Sequence, residues 1–332
     1  MSDRLHPMLR AAVVGLPLIV AFAVQLLFGV FFVGADEIRI ASTGPGINIL
    51  PIEVASRKGF FRDEGLEVLN ITMRANIAVN ALLTRGVDYA TPSTSIVKAA
   101  TTGLPVKLVS VLMERPDYFL FTKREITSMK QLKGKRIGIG SFGAAADLAL
   151  RAALLREGLD PDREVARLQI GGAGARYAAL VSGAVDATIL SLPFNLDAEK
   201  AGYRNLSWLG ERFEMPLSGL AVRDETIQKS PRQLLSMMRA TLRAIAYTKS
   251  HAEESVRILA DWIKVDRELA SKSFEIGKNS WPDTAIASDA SIKSVVDQTL
   301  AETKSSAPVT LDRVRNWSFA ERAKKELERG SK

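Results

Sequence analysis

From residue 37 onward, short apolar runs alternate with amphipathic stretches. This grammar predicts strands joined by helical crossovers, and therefore parallel sheet. Residues 37–41 read as a strand and 42–48 as a loop rich in Gly and Pro. A helix is expected over 51–64, a strand over 66–73, a helix over 76–85 and a short strand over 87–90. The polar turn 91–95 caps a helix over 96–102, and 105–112 is the next strand. Glycines 59, 65, 86, 103, 158 and 183 follow predicted helices, where a left-handed residue closes the turn; they are signals of fold rather than of ligand.

At 118–122 an apolar strand leads away from this unit, and the same grammar restarts. A short helix is expected at 129–132, strands at 135–140, 165–170, 185–190 and 206–209, and helices at 142–157, 174–181 and 193–201. Residues 217–223 form another apolar run. After Asp224 the chain is nearly all helix, over 231–250, 252–264, 267–277, 288–304 and 311–328. The stretches 118–125 and 217–223, which end in Lys123-Arg124-Glu125 and Arg223-Asp224-Glu225, bracket the second unit. They are read as the two strands crossing between lobes, with bending at Thr122, Lys123, Val222 and Arg223. Residues 126–219 then form a second α/β lobe inserted into a first, which comprises 36–125 and 220–332.

The N-terminus stands apart. Residues 1–10 are polar, with Arg4 and Arg10 against one acid, Asp3. Residues 11–33 run apolar with Gln25 as the single strongly polar side chain. This reads as a signal peptide over 1–35, with small or permissive residues at Val33-Gly34-Ala35 for cleavage. Its length also suits a retained transmembrane helix with the positive end inside. Both versions place the rest of the chain outside the inner membrane, in the periplasm or tethered facing it.

Composition narrows the chemistry. The 332 residues include no Cys and two His, His6 and His251. That rules out disulfides, a cysteine nucleophile and a His-rich metal site, and a hydrolytic triad finds no well-placed imidazole. The net charge of +8 is spread among interleaved acids and bases, without the concentrated basic face of a nucleic-acid binder. The glycines at 171, 172 and 174 lack the Gly-Lys-[Ser/Thr] end of a phosphate loop. Asp88 and Asp186 each open a strand after a helix-ending Gly and are read as turn or capping residues.

Several ordered motifs carry a resemblance: IEVASRKGFFRDEGL at 52–66, Gly86-Val87-Asp88-Tyr89-Ala90 followed by AATTGLPV at 99–106, MKQLKGKRIGI at 129–139, LLREGLDP at 154–161 and Gly183-Ala184-Val185-Asp186-Ala187. Over residues 37–225 the chain resembles the periplasmic binding proteins of the nitrate, taurine and aliphatic-sulfonate uptake class, grouped with the NMT1/THI5-like proteins. The resemblance implies a two-lobe α/β periplasmic-binding-protein fold of type II. It also implies a small-molecule ligand, no cofactor, no catalysis, and delivery to an ABC permease driven by a cytoplasmic ATPase. A membrane-anchored sensory receptor is the alternative. A pyrimidine-synthase-like enzyme needs a cysteine-rich motif that is absent, and a menaquinone-pathway dehydratase would be cytosolic.

Ligands of open α/β sheets lie beyond the carboxyl ends of the strands. The rule selects Ser42, Thr43, Asn48, Arg74, Ser93, Thr94, Ser95 and Arg115 in the first lobe, and Ser141, Phe142, Gly143, Ala144, Gly172, Gly174, Ser191 and Asn195 in the second. Ser141 to Ala144 and Ser93 to Ser95 begin helices, where an anion or a simple cap fits equally. Arg74 and Arg115 can pair a carboxylate or sulfonate, Arg115 also an internal acid; Arg176 can reach the cleft, but is expected to be an exposed helix residue. The rings of Phe142, Tyr118, Phe119 and Phe194 can stack on a flat ligand or fill the core. The expected ligand is sulfonate-, nitrate- or taurine-like, or pyrimidine-like.

Overall fold

The computed structural model describes residues 36–209 and 215–330. The N-terminal apolar run, read as signal or anchor, lies outside the described residues. Among the described residues no helix is long and apolar enough to cross a membrane.

In the first half of the chain β1 (Asp36–Ser42), β2 (Leu66–Thr72), β3 (Tyr89–Ala90) and β4 (Val106–Met113) alternate with α1 (Leu50–Lys58), α2 (Phe60–Asp63), α3 (Ala75–Leu83) and α4 (Ser93–Thr101). The single helix expected over 51–64 is broken at Gly59, whose φ of 79° ends α1 and re-aims the chain into α2. A second run follows: β5 (Phe119–Thr122), β6 (Arg136–Ile139), α5 (Ala145–Arg156), β7 (Ala166–Gln169), α6 (Ala173–Val181), β8 (Ala187–Leu190), α7 (Phe194–Lys200) and β9 (Arg204–Trp208). Then come β10 (Ser218–Arg223) and the helices α8 (Asp224–Lys229), α9 (Pro231–Ser250), α10 (Ala252–Ile263), α11 (Arg267–Gly277), α12 (Asp289–Thr303), α13 (Leu311–Val314) and α14 (Ser318–Gly330). The helix expected over 311–328 is interrupted because Asn316 N–H donates to Leu108 O, docking that turn on the edge of β4, while the Asn316 side chain receives the Ser318 N–H that starts α14.

The strands form two five-stranded sheets of the same design. Their orders are β2-β1-β3-β10-β4 and β7-β6-β8-β5-β9. In each, three strands are parallel and the fourth runs antiparallel to both its neighbours. The fourth strand is the one delivered from the other sheet: β5 arrives after β4, and β10 after β9. The first sheet, with the C-terminal helices, encloses one large apolar cluster that includes Ile38, Ile40, Leu108, Leu220, Met238 and Phe274. The second sheet carries a cluster on each face, one around Ile137, Leu150 and Ile189 and one around Phe121, Leu180 and Leu190.

This topology relocates the crossings. β5 lies wholly in the second sheet and β10 wholly in the first. The chain passes between sheets at 114–118 and again between Leu209 and Leu217, a stretch whose residues 210–214 are not described. The passages are adjacent: Leu209 N–H donates to Tyr118 O at 2.7 Å, and Met215 and Leu217 N–H donate to Glu114 and Met113 O at 3.2 and 2.8 Å. The bending expected at Thr122, Lys123, Val222 and Arg223 is thereby corrected, because these residues end β5 and β10 at the far sides of their sheets. Thr122 is buried and donates to Ile126 O, Lys123 pairs with Asp186 at 2.8 Å, Val222 is buried, and Arg223 donates to Leu82 O and Val87 O.

The turns that end in Asp88 and Asp186 have equivalent roles. Asp88 Oδ2 accepts from Arg39 N–H at 2.9 Å, and Asp186 Oδ2 accepts from Arg136 N–H at 3.1 Å. Each carboxylate thus satisfies an amide of the adjoining strand, and the arginine beside it folds back onto the same acid. Hydrogen bonds from Arg136 and Lys123 hold the Asp186 carboxyl well below the usual carboxylate range. A depressed folded-state pKa stabilises the fold above the unfolded value and the gain is lost as acid protonates the group. Asp186→Ala should therefore cost about 2 kcal/mol at neutral pH, with the gap from the parent closing below about pH 4. Denaturant melts across pH check this, and a gap that persists unchanged in acid would exclude the electrostatic origin.

Candidate functional site

The carboxyl ends of the parallel strands of both sheets face one another across the crossings. Between them lies a cavity of about 320 Å³, lined from the first sheet by Thr43, Asn48, Thr72, Arg74 and Thr91, from the second by Ser141, Ala144, Gly172, Arg176 and Ser191, and from the crossings by Asp117, Tyr118 and Leu217. The size is at the lower end of small-molecule sites. The two walls come close. A Cβ on Gly172 would lie 3.2 Å from Thr43 O, and Ser141 Oγ is 3.3 Å from Asn76 Oδ1.

Seven of the residues selected from sequence line this space: Thr43, Asn48, Arg74, Ser141, Ala144, Gly172 and Ser191. The others do not. Ser42 is buried inside the first sheet, and Ser93 is buried with its hydroxyl 3.5 Å from Thr91 O. Thr94 donates to Pro216 O at 2.7 Å and so holds the second crossing in place. Ser95 is half-buried on α4, and Arg115 is exposed on the first crossing. Phe142 is 56% exposed with the Arg167 guanidinium over its ring. Gly143 N–H is taken by Asp147 Oδ2 at 2.7 Å, Gly174 packs on the Phe194 ring, and Asn195 is buried on α7. Of the rings, Tyr118 lines the cavity, whereas Phe119 stacks on Trp208 and Phe194 lies against Tyr177.

Two charged side chains that line the cavity were not among the residues selected from sequence. Arg176, expected to be exposed, is 6% exposed; Nε donates to Ile189 O at 2.7 Å and Nη1 to Gly171 O at 2.6 Å. Asp117 is 8% exposed; Oδ2 accepts from Leu192 N–H at 2.8 Å, and Oδ1 has no partner among the described residues. The signal for Asp117 was the strand-end rule itself, because residues 114–117 lie beyond the carboxyl end of β4.

Burial pushes the Asp117 carboxyl up to about 6 from 3.8, against the opposing pull of the Leu192 amide and the Arg176 charge. The folded protein therefore binds this proton more tightly than the unfolded chain. Stability is therefore lost as pH rises from about 4 to about 6, and the loss amounts to about 3 kcal/mol by neutral pH. Asp117→Asn, which cannot ionise, is expected to melt above the parent at pH near neutrality and together with it near pH 4. A variant that melts below the parent at neutral pH would show that the charge is stabilised by groups other than these.

The arrangement defines a class. Two facing α/β sheets, joined by two adjacent crossings around a cleft at the strand carboxyl ends, make the periplasmic-binding-protein fold. The alkanesulfonate-binding protein SsuA from Xanthomonas axonopodis pv. citri, solved with MOPS bound, matches with a TM-score of 0.69 at 18% identity, over 85% of this chain and 99% of that one. The desulfurization enzyme DSZB matches with a TM-score of 0.64 at 17% identity, over 88% and 99%. In sequence, the riboflavin-binding protein RibY of Chloroflexus aurantiacus is 31% identical over 229 residues, which are 66% of this chain and 64% of that protein. The profile of the family described as NMT1/THI5 like matches residues 46–255, and the chain belongs to that family.

Proposed function

We propose that this chain is an extracytoplasmic solute-binding protein that closes two lobes over a small molecule and delivers it to an ABC permease with its cytoplasmic ATPase. The observation that carries the reading is the cavity between the two sheets, bounded by the crossings and nearly closed where Gly172 meets Thr43 O. The lobes are the two sheets with their helices. The crossings at 114–118 and between Leu209 and Leu217 are the hinge, because a hinge needs few chain passages between rigid bodies.

Capture without chemistry fits the lining, which holds neither Cys nor His. His251 lies against the Tyr247 ring at the end of α9. DSZB is the enzymatic relative in fold; SsuA and RibY are binding proteins by name. Sulfonates and riboflavin, the molecules those two proteins are named for, are the first solutes to test.

A saturating solute binds the folded state and raises its melting temperature. Thermal-shift screening of sulfonates and riboflavin is expected to give a rise of several degrees for one class; a flat result for all of them would count against capture. Gly172 has an ordinary φ of −60°, so Gly172→Val should fold but hold the walls apart, weakening the same solute about tenfold or more by depopulating the closed state. Unchanged affinity by titration calorimetry would show that closure does not involve this contact.

For the N-terminus we propose export through the 1–35 segment, either cleaved or retained as an inner-membrane anchor that makes the protein a tethered receptor. Intact mass of the exported protein decides: a chain beginning at Asp36 supports the free periplasmic form, and an uncleaved Met1 in membranes supports the anchored one.

A further inference from the structure

Asp117 is a buried cavity group whose bonding is incomplete. It sits where the first crossing enters the cleft. Its Oδ2 is fixed by the Leu192 amide, while Oδ1 is buried, has no hydrogen-bond partner among the described residues and belongs to a residue that lines the cavity. A buried acceptor left unmatched costs about 1–3 kcal/mol, so a partner arriving with the solute recovers that loss. Arg176 lines the same space, with Nε and Nη1 engaged by carbonyls and Nη2 making no hydrogen bond among the described residues. The cleft therefore presents an acceptor and a donor from two buried side chains.

The places that would suit an anion are weaker. The start of α5 already holds an anion of the protein's own: Asp147 is buried in its first turn, accepts from Gly143 N–H, and pairs with Arg167 at 2.5 Å. That carboxylate answers the amides and the positive helix end that an external anion would use. Arg74 lines the cavity but is exposed to water, where its charge is screened. A sulfonate, which offers acceptors alone, would meet the unmatched Asp117 oxygen with like character.

We propose that Asp117 selects the solute, accepting through Oδ1 a hydrogen bond from a ring N–H of an uncharged heterocycle that carries an adjoining carbonyl for Arg176, so that the captured class is a flat lactam or imide rather than an inorganic or sulfonate anion. The inference rests on the capture reading above and deepens it. Tyr118, the next residue, lines the cavity and supplies a ring face for such a molecule. Because Asp117 is part of a crossing, a bond to it ties occupancy to the hinge itself.

The test uses the whole chain and four probes: uracil and lumazine, which keep their ring N–H groups, dimethyllumazine, in which both are methylated, and methanesulfonate. Uracil or lumazine should raise the melting temperature, and dimethyllumazine and methanesulfonate should not. Asp117→Asn presents an N–H where the free oxygen stood or loosens the Leu192 bond, and is expected to weaken lumazine about tenfold or more. Its unliganded melting temperature, expected at or above the parent's near neutral pH, separates lost recognition from lost folding. Methanesulfonate binding in preference to lumazine, or lumazine binding unchanged by methylation or by Asp117→Asn, would overturn the assignment while leaving capture intact. No shift with any of the four, or with the solutes screened for function, would overturn capture and this assignment together.

Discussion

The pairing of the two crossings governs the molecule. β4 and β10 are neighbours in the first sheet, and β5 and β9 are neighbours in the second. The connections β4 to β5 and β9 to β10 must then run side by side, and they bond to each other at both ends, Met113 with Leu217 and Tyr118 with Leu209. Since β5 and β10 are antiparallel to the strands beside them, both start at the crossings and run outward. The carboxyl ends of all the parallel strands are thereby turned inward to one cleft, the position where open α/β sheets bind ligands. A single topological arrangement, used twice, sets the cleft, its walls and its narrow hinge.

Much of this was legible in the sequence because alternating pattern and helix-closing glycines report local structure directly. The parallel strands, the insertion of one α/β unit into another and the loops that approach the cleft all follow from it. The crossing was misplaced for a physical reason. Residues 118–122 and 217–223 are both apolar and both followed by charged clusters, and a strand at the edge of a unit reads the same whether it ends that unit or begins the next. Only the pairing partners Ala187 for Thr122 and Val106 for Arg223 decide it, and those are contacts far apart in sequence.

Site residues failed or succeeded on similar grounds. Loop backbone positions such as Thr43, Gly172 and Ser191 follow from the strand-end rule alone. Thr94 and Gly143 satisfy the same rule, yet their polar groups are consumed within the protein, by Pro216 O and by Asp147. Arg176 is on a helix whose spacing predicts exposure, but two carbonyls, one from the loop before the helix and one from β8, draw its guanidinium inward. Its burial is decided by acceptors at Gly171 and Ile189, one of them thirteen residues away, which no local pattern displays.

The weakness of the direct contacts across the cleft bears on how such a device works. Ser141 and Asn76 meet at 3.3 Å, and Lys200 and Asp266 at 4.0 Å with both side chains about half exposed or more. The exposed Lys200–Asp266 pair contributes about 0–1 kcal/mol, and the part-buried Ser141–Asn76 hydrogen bond about 0.5–1.5 kcal/mol. On the proposed capture reading these polar contacts add little to closure, and the balance between open and closed forms falls to the apolar contacts of Ala145 and Leu192 with the first core and to whatever fills the cavity. A ligand shifts that equilibrium only by its differential affinity for the two states. The groups that create such a difference are those assembled at the crossings and on both walls, Asp117 and Arg176 foremost, because a solute that touches one wall alone binds the open form as well as the closed. On that reading, weak polar latches beside a buried, incompletely bonded acid at the crossing let occupancy bias closure.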